Sequence, residues 1–162
     1  MSMKKCSNHR CHWAAPPLGV SLIEVLIALL VLGIGLLAFA LLQTMNLRFT
    51  KSAQQRTIAS NLAYELLDIM RSQRSTVGYY GAITYGSFDG VDGTDCNHSE
   101  NATPVANMAR WRCEVVSALP DGRAQVNLAT NGEVTVTIRW GDQHWETDVN
   151  KQSTTFNLTS VL

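Results

Sequence analysis

Residues 25–42, Val25 to Leu42, read VLIALLVLGIGLLAFALL, with no charged or strongly polar side chain among them. At about 1.5 Å of rise per residue this run makes a helix of roughly 27 Å, close to the hydrocarbon thickness of a bilayer. Lys4, Lys5 and Arg10 lie among residues 1–19, which hold no acidic residue, while Arg48, Lys51 and Arg56 follow the run closely. As positive-inside signals the two groups nearly cancel, so charge alone does not orient the segment. The whole chain has 162 residues, enough for one modest domain beside the apolar run. Its 13 Lys and Arg balance 13 Asp and Glu, which argues against a polybasic nucleic-acid binder.

A basic stretch followed by an apolar run fits a secretory signal that is removed, a plain membrane anchor, or a specialised leader whose apolar helix is retained. Ala38-Phe39-Ala40 supplies a small-x-small site for the first reading. Against it stand Glu24 at the mouth of the segment and the apolar residues Leu41 and Leu42 beyond the supposed cut.

The third reading rests on Gly19-Val20-Ser21-Leu22-Ile23-Glu24, a glycine before a short apolar entry with a carboxylate five residues on and a long apolar run behind it. This resembles the type IV prepilin signature. The resemblance implies that a prepilin peptidase cuts between Gly19 and Val20 on the cytoplasmic side and methylates the new amine of Val20. Residues 1–19 are then a leader, and residues 20–73 one long helix with its transmembrane segment at 25–42. It also implies a single-pass inner-membrane protein with a periplasmic C-terminal domain. Val20 stands where phenylalanine is usual, Ser21 where threonine is usual, and the leader is long; these departures bear on the efficiency of processing.

A carboxylate inside a membrane segment costs about 3 kcal/mol on insertion scales, so Glu24 needs an offset. Near the start of a helix, the dipole and the interface provide one. The resemblance implies another, pairing of Glu24 with the α-amino group of Val20 in a neighbouring subunit. That amine has an ordinary pKa of about 8 and is mostly cationic at neutral pH. Gly33 and Gly35 lie mid-run. They allow close helix approach or a local loosening, and glycine is also simply tolerated in membrane helices.

Beyond the run, Ile58, Leu62, Leu66 and Ile69 recur at helical spacing, flanked by Ala59, Ala63 and Met70. Residues 74–109 lack clear periodicity and read as a connecting loop. From residue 110 to 162 the period becomes two. Val134, Val136, Ile138 and Trp140 form the clearest half-buried strand; Trp111, Cys113 and Val115, and Ala124, Val126 and Leu128, suggest two more. Pro120-Asp121-Gly122 and Asn131-Gly132 supply hairpin turns between them, and Phe156 and Leu158 a further strand of open pairing. The expectation is an α+β fold, an antiparallel sheet of three to four strands covered by the Ile58–Met70 stripe. This matches the pilin ladle, and the C-terminal half looks most like the PilV type of minor pilin.

The oxidising compartment implied by the resemblance permits a Cys96–Cys113 disulfide, with two buried free thiols as the alternative. Cys6, Cys11, His9 and His12 fall in the leader and follow no standard zinc spacing. Asp89, Asp92 and Asp95 are not at EF-hand spacing and read as a solvated turn more readily than as a calcium site. Asn97, Asn101 and Asn157 head N-x-Ser/Thr triplets that carry little meaning for bacterial-type export. Outside the leader the histidines are His98 and His144, and no nucleophile elbow, phosphate loop or paired-carboxylate motif is present, so an enzyme is not expected and no cofactor is implied.

The resemblance therefore points to a minor pilin subunit of type IV pilus assembly. Its expected partners are the prepilin peptidase, other minor pilins and the major pilin, the inner-membrane assembly platform and membrane lipid, with no nucleic acid. A minor pseudopilin of type II secretion and a pilus-displayed adhesin or other binding module remain as alternatives.

Overall fold

The computed structural model describes residues 19–94, 96, 102–142 and 152–162. The leader cysteines and histidines, Asp95, Asn97, Asn101, His98 and His144 lie outside the described residues. The first element, α1, runs Leu22–Ser72. The chain divides within this helix into two compact units, Met1–Thr44 and Met45–Leu162.

In the first unit every described side chain, from Gly19 to Thr44, is exposed. In the second unit the helix is amphipathic, burying Gln55, Ala59, Leu62, Ala63, Leu66, Leu67 and Met70. Ile58 and Ile69 are only half-buried, so the buried stripe is turned slightly from the expected one toward Ala59 and Ala63. Those small side chains let neighbouring elements come close to the helix backbone.

The described residues within 74–109, expected as a loop, are largely helical. Two 3-10 helices occupy Arg74–Ala82 and Tyr85–Phe88, and a second α-helix, α2, spans Pro104–Ala118. The strand expected at 111–115 is therefore helix. Thr103 caps it by accepting the backbone N–H of Ala106 at 3.3 Å, with Pro104 in the first helical position, where its missing N–H costs nothing. The misreading has a physical cause: Trp111, Cys113 and Val115 are all buried, and burial at every second residue imitates a strand. Trp111, Val115 and Leu119 follow a helical i, i+4, i+8 stripe into the core, whereas Cys113 is buried on another side, by the segment to which it is bridged.

The sheet is three-stranded and antiparallel, in the order β1 (Arg123–Leu128), β2 (Glu133–Gly141), β3 (Ser153–Val161). Val126 pairs with Val136 and Ile138 with Phe156, which settles the open pairing of the last strand beside β2. Asn131-Gly132 does form the β1–β2 hairpin, with Gly132 at φ 82° and Asn131 Oδ1 accepting the N–H of Glu133 at 3.0 Å. Pro120-Asp121-Gly122 instead joins α2 to β1. A Cβ on Gly122 would lie 2.5 Å from the carbonyl oxygen of Val115, so the end of α2 closes over a residue without a side chain.

The inner sheet face, Ala124, Val126, Val134, Val136, Ile138 and Trp140, joins α1 residues Leu66 and Met70, Trp111 of α2 and Tyr80 in one hydrophobic cluster. The fold is α+β, its sheet covered by the second half of α1 together with α2 and the 3-10 segment. Phe88 meets Trp111 edge to face, with ring centroids 6.3 Å apart.

Candidate assembly segment

Gly19, Val20 and Ser21 are exposed and precede the helix. The Ser21 carbonyl accepts the N–H groups of Glu24 and Val25 at 3.0 and 3.3 Å, opening α1, so that Glu24 stands in the first turn with an exposed side chain. A carboxylate there meets the positive end of the helix dipole. Beyond it the helix presents apolar side chains all round, among them Leu26, Ile27, Leu30, Val31, Ile34 and Leu37. Water is an unfavourable solvent for such a surface, at roughly 25 cal/mol per Å² of apolar area. By length and composition this stretch of α1 can cross a membrane. Thr44, just past the run, donates its hydroxyl to the Ala40 carbonyl at 3.1 Å, and Thr50 donates to Asn46 at 2.9 Å, so both donors are met within the helix.

Further along α1, contacts to the sheet and α2 begin. Ser52 Oγ donates to the buried Asp142 carboxylate at 2.7 Å, which also accepts from Thr154 Oγ1 at 3.1 Å. Arg110 of α2 places one guanidinium nitrogen 2.9 Å from Glu65 and 2.7 Å from Glu114. Burial, and then the neighbouring Glu114, raise the Glu65 carboxyl above its ordinary value, more than the attraction of Arg110 lowers it. At the helix end, Arg71 bonds both Asp68 at 3.1 Å and Ser160 of β3 at 2.8 Å. Arg71–Asp68 and Arg110–Glu114 are ordinary i,i+3 and i,i+4 pairs within a helix, whereas Ser52–Asp142, Arg110–Glu65 and Arg71–Ser160 depend on how distant elements align and are not visible in the sequence.

Cys96 and Cys113 are bridged, their Cα atoms 5.4 Å apart. The bond anchors the segment after the second 3-10 helix to α2, not to a first strand as expected. Nearby, a Cβ on Gly93 would lie 2.9 Å from the Ser117 backbone nitrogen, so the segment runs hard against the helix. Two of the loop aspartates, Asp89 and Asp92, lie within the described residues. Asp89 pairs with Arg123 at 2.6 Å, and Asp92 accepts the Thr94 N–H at 2.9 Å, a bond that lowers its carboxyl below the ordinary value. Among the described residues no three His, Cys, Asp or Glu side chains gather as a metal site. Set against known proteins, the chain matches no protein-family model, no curated protein and no solved structure.

Proposed function

We propose that this chain is a minor subunit of a type IV pilus, held in the inner membrane by its apolar helix and drawn from there into the filament. The observation that carries the reading is the placement of Glu24. It sits in the first turn of a helix whose apolar side chains are exposed all round, directly behind an exposed, non-helical Gly19–Val20 bond. A peptidase needs an accessible, unwound bond, and its cut there creates an amine on Val20 next to the apolar helix. An adjacent copy's Glu24 can neutralise that amine away from water, which sets the axial register between helices. An uncut chain has no such amine and does not assemble. The Cys96–Cys113 bridge supports a periplasmic address for the second unit, since such bonds persist in oxidising compartments.

Intact mass with identification of the N-terminal residue tests the reading. N-methylated Val20 supports it. A chain beginning at Leu41 indicates a conventional signal, one beginning at Met1 or Met3 a plain anchor, and either overturns it.

A further inference from the structure

The two edges of the sheet are treated differently. Along β1, Val126 N–H donates to the Ile83 carbonyl at 3.0 Å and Arg123 Nη1 to the Tyr85 carbonyl at 3.2 Å, so the chain around 83–85 covers that edge. β3 forms the other edge, its 9 residues paired with β2 in unbroken register. Asp142 N–H donates to the Gln152 carbonyl and Leu162 N–H to that of Gly132, so even-numbered positions turn their backbone groups toward β2. Alternation then directs the N–H and C=O groups of Ser153, Thr155, Asn157, Thr159 and Val161 outward. Among the described residues no backbone group caps them.

Natural edge strands are blunted by charge, proline, bulges or shortness. β3 reads STTFNLTSV and has none of these protections. A groove of about 330 Å³ lies beside it, walled by Arg56, Thr57 and Ser60 of α1 and by Trp140, Thr155 and Phe156 of the sheet. The Trp140 indole in this wall is 1% exposed, and among the described residues its Nε1–H has no acceptor. Among the described residues Arg56 is the one charged side chain in the lining, and no carboxylate there pairs with it.

We propose that this edge and groove take up one extended strand of another polypeptide, which adds to β3 through its backbone and turns a carboxylate side chain toward Arg56. Strand addition satisfies the outward groups as a ladder, and alternate side chains of the incoming strand lie in the groove on the Phe156 side. A second copy of β3 is a poorer occupant, since it brings no acid to Arg56. The proposal is independent of the pilin reading, because neither the Gly19–Val20 bond nor the apolar helix takes part.

Amide hydrogen exchange on the full chain in detergent micelles tests it, with a synthetic peptide of alternating threonine and valine and one central aspartate as probe. The aspartate peptide is expected to slow exchange at Ser153, Thr155, Asn157, Thr159 and Val161 by about tenfold or more. The same peptide with lysine for aspartate is expected to bind at least about tenfold more weakly, and Arg56→Gln to erase that difference. Asn157→Pro removes one outward N–H, leaves the β2 ladder intact, and is expected to abolish binding. Should that variant fail to fold, the Arg56→Gln comparison still decides. Outward amides already protected in the free chain, protection that rises with protein concentration alone, or equal binding of the two peptides overturns the proposal.

Discussion

The indole Nε1–H of Trp111 donates to the backbone carbonyl of Leu62 at 2.9 Å, across 49 positions of sequence, and fixes α2 to the middle of the amphipathic half of α1. Trp111 is wholly buried, so the bond forms where water cannot compete and the ring packs on all sides. Trp111→Phe keeps most of the ring and removes the donor; a loss of about 1 kcal/mol is expected, the net worth of one such bond. Trp111→Ala also leaves a cavity and should cost about 3–5 kcal/mol. Denaturant unfolding of the full chain in micelles checks both, and equal losses for the two variants would show that the hydrogen bond, not packing, holds the helices together.

Arg110 is shared by two carboxylates, and Glu65 is the one whose charge is unwelcome. Its folded pKa is raised above the ordinary 4.5, so the folded chain holds the proton more tightly than the unfolded one. A carboxyl of this kind favours folding most below the unfolded value, and that contribution is lost as pH rises through the folded value. Stability attributable to Glu65 should therefore fall as pH increases from about 4.5 upward. Glu65→Gln has no proton to lose there, so its stability curve should be flatter over that window. A variant as steep as the parent would place the pH dependence elsewhere.

The Cys96–Cys113 bridge closes a loop with a sequence separation of 17. In a chain-entropy treatment a closure of this size is worth about 3 kcal/mol. Reduction, or Cys96→Ser with Cys113→Ser, is expected to lower global stability by up to that amount. Amide exchange should rise first in residues 91–94 and in the part of α2 around Cys113, because those are the backbones the bridge holds together. Uniform loss of protection across the sheet would instead mean that the bond is needed for the whole core.

The readable and unreadable parts of this fold separate on physical grounds. Val134 to Trp140 is plain in the sequence because β2 has one wet face, and its inward residues alternate with polar ones. The stripe from Ile58 to Met70 is plain for the corresponding helical reason. Residues 111–115 read as a strand because α2 is covered on more than one side, and bridging at Cys113 adds a burial that hydrophobicity alone assigns to a strand. Thr103-Pro104, a cap followed by proline, was the local signal for a helix there. The roles proposed for Gly19, Val20 and Glu24 rest on short spacing along one chain. Arg110 between Glu65 and Glu114, or the edge of β3 beside Arg56, follows only from the register of elements far apart in sequence.

Two roles for Glu24 make different demands on a mutant. If the carboxylate serves only the helix dipole, its removal costs about 0.3–1 kcal/mol at the first turn, and the apolar helix, anchored along its length, tolerates that. If it pairs with the Val20 amine of an adjacent copy, its removal leaves a cationic terminus unpaired among apolar helices, and breaking a buried pair costs about 3–5 kcal/mol. Glu24→Ala should then insert into membrane and be cut at Gly19–Val20 as the parent is, yet be missing from sheared filaments. Glu24→Asp keeps the charge on a shorter arm and should recover part of the incorporation. Membrane fractionation, N-terminal mass and quantitation in purified filaments read the three steps separately. Full incorporation of Glu24→Ala would leave the carboxylate with its dipole role alone.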